Sequence, residues 1–62
     1  MTNVYYCYIQ FRSGESTKYT NITEYSVINN ILTLKFFNMD TMLVNFDEIF
    51  KVRFMIQGQK DD

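Results

Sequence analysis

"VYYCYIQF", residues 4–11, alternates as a strand does, yet both of its alternate sets are greasy. Successive side chains of a strand point to opposite faces. Tyr5, Cys7, Ile9 and Phe11 therefore share one face, and Val4, Tyr6, Tyr8 and Gln10 share the other. A chain of 62 residues makes one small domain with a single core. The Cys7 set belongs to that core, and the tyrosine set needs a cover of its own.

The same period of two runs through most of the chain, punctuated by turn residues. A first strand over residues 3–12 ends at Ser13-Gly14-Glu15, a hairpin turn in which Gly14 takes a positive φ without steric cost. A short second strand follows over 16–20. Asn21-Ile22-Thr23 breaks the rhythm and reads as a bulge or bend with Ile22 tucked inward. A third strand over 24–28 leads to Asn29-Asn30, a two-residue type I′ turn, because Asn tolerates the left-handed region. A fourth strand over 31–37 puts Leu32, Leu34 and Phe36 inward and Ile31, Thr33, Lys35 and Phe37 outward. Asn38-Met39-Asp40 turns the chain into a fifth strand over 41–46. "FDEIF" (46–50) then interrupts the alternation. Asp47 is placed to cap a single helical turn, with Glu48 near its positive end and Ile49 inward. The last strand, 50–56, faces Phe50, Val52, Phe54 and Ile56 inward and Lys51, Arg53 and Met55 outward. The reading predicts an all-β domain over 1–57, with at most one short helical turn near 46–50 and a polar, fraying tail at 58–62. Its five or six antiparallel strands form a meander curled into a half-barrel or a small SH3-like barrel.

Composition narrows the chemistry. The chain has no histidine and one cysteine, Cys7. An internal disulfide is therefore impossible, and zinc lacks its preferred ligands. The scattered carboxylates are too sparse for a calcium cage. Without histidine, Ser and Cys lack their usual general base, and the two glycines, Gly14 and Gly58, are too far apart for a phosphate-binding loop. No catalytic residue, metal ligand or cofactor is assigned, and the expectation is a non-enzymatic protein. A net charge of −1 argues against a strong grip on duplex nucleic acid. No apolar run approaches the ~20 residues of a membrane helix, no secretion signal opens the chain, and a lone core thiol suits a reducing cytoplasm.

The outward set mixes rings and cations: Tyr6, Tyr8 and Arg12 from the first strand, Lys35 and Phe37 from the fourth, and Lys51 and Arg53 from the last. These are the candidate interface residues. Tyr and Arg combine large area with a polar handle, and so small a core ordinarily requires a staple. With disulfide and metal excluded, oligomerisation is the staple left. The expected cover is a second copy, alongside a protein target. Two other uses of this face stay open. A nucleotide or single-stranded nucleic acid would stack on the rings and set its phosphates on the cations, and a structural phage component would assemble by strand pairing. In a closed barrel the same tyrosines would simply meet water.

Ala, Pro, His and Trp are absent, while Asn, Ile, Lys, Phe, Tyr and Met abound, the mark of A/T-rich codons and a low-GC genome. With Gly14, the bend Asn21-Ile22-Thr23-Glu24-Tyr25, the Asn29-Asn30 hairpin and the closing run of Phe46, Ile49, Val52 and Phe54, the chain resembles small all-β proteins of Firmicute phages, plasmids and integrative elements. The resemblance implies a binder that inhibits a host or antiviral defence protein in the cytoplasm. It carries over no functional residue.

Overall fold

Three tight turns set the strand pairing. Gly14 has φ +99°, and its N–H donates to the Phe11 carbonyl at 2.9 Å, closing the first hairpin. Asn29 and Asn30 have φ of 52° and 65°, the two positive values that a type I′ turn demands. Met39, at φ 76°, occupies a left-handed position in the third turn. Asn38 stabilises that turn by accepting from the Asp40 N–H at 3.1 Å.

The computed structural model describes residues 2–60. The strands are β1 (Thr2–Phe11), β2 (Ser16–Ile28), β3 (Ile31–Phe36), β4 (Thr41–Asn45) and β5 (Ile49–Lys60), with a 3₁₀ turn at Phe46–Glu48. They form one antiparallel sheet in the order β4-β3-β2-β1-β5. It is the expected small all-β meander, and it is not closed. No helix among the described residues is long and apolar enough to cross a membrane.

One covalent constraint curls the sheet, and two backbone hydrogen bonds fasten it. Asn45 ends β4 at one edge and Ile49 begins β5 at the other. Four residues reach at most ~14 Å, whereas the outer strands of a flat five-stranded sheet lie ~19 Å apart. The sheet must wrap for the 3₁₀ turn to bridge it. That turn is held from both sides: Phe46 donates its N–H to the Asn30 carbonyl at 2.8 Å, and Arg12 donates its own to the Glu48 carbonyl at 2.9 Å. Arg12 precedes β2 and Asn30 follows it, so the two ends of β2 curve toward the same short turn.

The bend lies where the sequence placed it. The predicted second and third strands are one strand of 13 residues, because Asn21 at φ 61° absorbs the irregularity without ending the ladder. Ile22 is the pivot. It pairs with Tyr5 on β1 and with Phe36 on β3, and it is completely buried. Around it pack Cys7, Ile9, Leu32, Leu34, Val44 and Ile49.

Several expectations require correction. Val4 was expected on the outer face but is buried. The ladders on the two sides of β1 slip between Val4 and Cys7, and the slip breaks the alternation. Phe50 was expected inward but is 65% exposed. Ile49 takes the inward place opposite Phe11 while Lys51 pairs with Gln10, so Phe50 is the extra residue of a bulge. Ile56 was also expected inward and is 70% exposed. It lies opposite Tyr5, the last β1 residue that β2 pairs, where cover on the inner face runs out. The 3₁₀ turn is capped by Asn45, not Asp47: the Asn45 carbonyl oxygen Oδ1 accepts the Asp47 N–H at 2.9 Å. Phe37 falls in a turn instead of a strand. The polar end is strand as far as Lys60, because Gly58, Gln59 and Lys60 find ladder partners in Val4, Asn3 and Thr2. Asp61 and Asp62 lie outside the described residues.

Candidate binding face

The hairpin loop of β1 and β2 places Tyr8 opposite Lys18 and Gln10 opposite Ser16. On its other side β1 sets Tyr6 opposite Met55, Tyr8 opposite Arg53 and Gln10 opposite Lys51. Directly opposed residues of an antiparallel pair share a face. The outer face of β2-β1-β5 therefore carries Tyr6, Tyr8, Gln10, Lys18, Lys51, Arg53 and Met55 together.

The tyrosines on this face are partly covered by their own chain. The Lys18 ammonium sits 4.6 Å from the centre of the Tyr6 ring and 5.5 Å from that of Tyr8, within cation–π range. The two rings meet edge to face at 6.0 Å, and the Tyr6 hydroxyl donates to the Met55 sulfur at 3.1 Å. Tyr6 is consequently half-buried, while Tyr8 keeps 46% of its surface in solvent. A hollow of about 200 Å³ beside Tyr8 is rimmed by Gln10, Ser16, Lys51 and Arg53. The cross-strand neighbours of Lys18, Lys51 and Arg53 are uncharged. Of the described carboxylates, Glu15 lies in the first turn, Asp40 in the third and Asp47 and Glu48 in the 3₁₀ turn, while Glu24 lies on the far half of β2, opposite Lys35. The face is thus cationic on a chain of net charge −1.

Of the seven residues selected from sequence, this face unites Tyr6, Tyr8, Lys51 and Arg53. The other three lie elsewhere. Arg12 is committed to the 3₁₀ turn, its Nε donating to the Asp47 carbonyl at 2.9 Å. Lys35 is 3.7 Å from the Glu24 carboxylate on the outer face of β3. Phe37 sits in the third turn, its backbone N–H donating to the Asn21 carbonyl at 2.8 Å. Lys18 was missed. Its signal was the length of the Gly14 loop, which fixes the β1–β2 register and with it the residue opposite Tyr8.

A second set of exposed apolar side chains lies at the rims of the sheet. Leu43 on β4 is 67% exposed, and Phe50 and Ile56 on β5 have comparable exposure. On β2 cover fades from Ile22 through Tyr25 and Val27 to Ile28. Tyr25 stacks on Phe54 with ring centres 3.9 Å apart and meets Tyr5 edge to face at 5.4 Å. This aromatic cluster forms the lip of the inner face.

Reactive groups are few. Burial pushes the Cys7 thiol above its ordinary range, and a hydrogen bond with the Tyr19 backbone offsets part of the shift. A thiol so placed behaves as a small hydrophobe. Among the described residues, no three of His, Cys, Asp and Glu are grouped to hold a metal. A larger hollow, about 560 Å³, is lined by Phe11, Arg12, Ser13, Glu15, Asp47 and Glu48. Three carboxylates surround its one cation, and that cation already binds the 3₁₀ turn.

No protein-family model, curated protein or solved structure matches the chain.

Proposed function

We propose that this chain is a non-enzymatic interaction protein that acts as a homo-oligomer and occludes a protein target. One observation carries the reading. Among the described residues, eight hydrophobic side chains are buried and ten large ones are exposed. A monomer ordinarily exposes scattered apolar residues, but here most of them gather on the edge strands, in the third turn and at the C-terminal end of β2. Clustered exposure of this kind marks an association surface. The absence of histidine and the buried, high-pKa Cys7 support the non-enzymatic part. The pattern shared with phage and mobile-element proteins supports a host or defence protein as the inhibited target. Sedimentation over a range of concentrations tests the oligomer: a mass above the 7.5 kDa of one chain is expected, and a monomer at every concentration contradicts it.

A second reading is favoured by the uncharged cross-strand partners of Lys18, Lys51 and Arg53. Three cations around Tyr8, none of them opposite a carboxylate, suit a single-stranded nucleic acid or nucleotide, with a base stacked on the exposed ring. Fluorescence anisotropy with a short oligonucleotide should then give affinity that falls with salt, with a log–log slope of about 2 for three phosphates. Binding that ignores Arg53→Ala and Lys18→Ala rejects this reading.

A further inference from the structure

The exposed rims differ in what they can accept. β4 is short, and it ends at Asn45, whose side chain is already engaged by Asp47 and Asn30. β5 is a 12-residue strand paired only with β1. One alternate set of its N–H and C=O groups points away from the sheet, and such a row is a template for another strand. The protections this edge carries leave its middle open: the chain has no proline, the bulges flank the regular run without interrupting it, and the cations Lys51 and Arg53 lie on the outer face, out of the plane of pairing. Between the bulges at Phe50 and Gln57, every residue of β5 has its own partner, Lys51 with Gln10 through Ile56 with Tyr5. This regular run is the part of the edge able to continue the ladder.

We propose that a second copy of this chain docks antiparallel along the free edge of β5, with Phe54 of one copy opposite Phe54 of the other. The proposal rests on the homo-oligomer reading above and specifies its surface. Symmetry limits the registers. In a two-fold antiparallel pair, only residues that present their backbone groups to the same side can face each other, so the axis passes through a residue. Within 51–56, two centres give the longest ladder. Centring on Arg53 sets two guanidinium groups directly opposite each other, which is destabilising. Centring on Phe54 opposes ring to ring, Val52 to Ile56 and Arg53 to Met55, with no like charges in register. This second arrangement covers Ile56, the more exposed of the two rim residues on β5. The two cationic faces then lie on the same side of one continuous sheet, with the Arg53 side chains of the two copies diagonal to each other and each opposite an uncharged Met55. The edge is therefore complementary to itself, and this self-complementarity favours a second copy over an unrelated strand.

Cysteine cross-linking reads the register. Opposed residues of an antiparallel pair have Cα atoms about 4.5–5.5 Å apart, within disulfide range. Arg53→Cys and Met55→Cys are outer-face changes, Cys7 is buried, and circular dichroism verifies each fold. Under mild oxidation the mixture of the two variants should yield a disulfide dimer, while either variant alone should not. Cross-linking of Arg53→Cys alone, or of Met55→Cys alone, overturns the Phe54 register. No cross-link in any combination, with the unsubstituted protein still oligomeric, overturns docking at this edge and leaves the oligomer reading standing. A monomeric unsubstituted protein defeats both. As a second check, Met55→Lys places a like charge opposite Arg53 and should weaken dimerisation at least about tenfold. An unchanged mass–concentration curve for that variant also overturns the proposal.

Discussion

The two halves of β2 pass through one sheet and end in different surroundings. Before Asn21 the strand lies beside β1, and its outer face joins the tyrosines and cations, with Lys18 opposite Tyr8. After Ile22 it lies beside β3. There its outer face is neutral, with Glu24 opposite Lys35 and Ser26 opposite Thr33. The inner faces diverge as well. Near the pivot Cys7, Ile9 and Ile22 are buried, whereas Val27, farther along β2 and opposite Leu32, is 53% exposed. A sheet wrapped about one pivot buries what is near the pivot and leaves its rims open. The core of so small a chain is therefore local. The surface available for association is the perimeter of the sheet more than the middle of either face.

The sharpest way to break this comparison is at the pivot. Ile22→Ala should cost about 3 kcal/mol of stability, seen as a large fall in the urea midpoint, because it empties the contact shared by both halves. A loss below about 1 kcal/mol would mean that the halves stand independently. Asn21→Ala should cost about 1–2 kcal/mol, since alanine resists the positive φ at the bend, while Asn21→Gly should cost much less. Equal effects from the two would show that the bend does not depend on that backbone conformation. On the cationic half, Lys18→Ala should lose about 0.5–1 kcal/mol with a change in tyrosine fluorescence. Lys35→Ala on the neutral half should lose less, because exposed ion pairs contribute little. The smallest effect belongs to the rim. Ile56→Ala should leave unfolding at high dilution within about 0.5 kcal/mol of the parent while lowering the association constant, which separates a surface residue from a core one.

Much of the fold was legible because its turns are chemically explicit. Gly14, the Asn29-Asn30 pair and the Asn21-Ile22-Thr23 bend each named a backbone conformation, the inward Leu32 and Leu34 followed from the period of two, and the inward Ile49 followed from the helical turn that interrupts it. What alternation could not supply was the effect of bulges. Each added residue flips the strand beyond it, so Val4 and Phe50 were assigned to the wrong side, whereas Ile56 keeps its inward side and is exposed because cover ends there. The candidate face was legible within β1 and β5, where Tyr8 and Arg53 fall opposite each other. It was illegible across the sheet. Lys35 and Phe37 share an outward parity with Tyr8, but the curl of β2 carries them away, and parity holds no information about curvature. Arg12 was lost to a different cause, because a side chain at the end of a strand is free to brace the neighbouring turn.

The central claim is that the free edge of β5 is occupied by another β5. Amide hydrogen exchange across Lys51–Ile56, read residue by residue by NMR as a function of protein concentration, addresses it directly. The account predicts slow exchange at all six positions in concentrated solution, with alternate amides becoming fast on dilution while the β1-bonded set stays protected. Alternate amides that exchange fast at every concentration would contradict it.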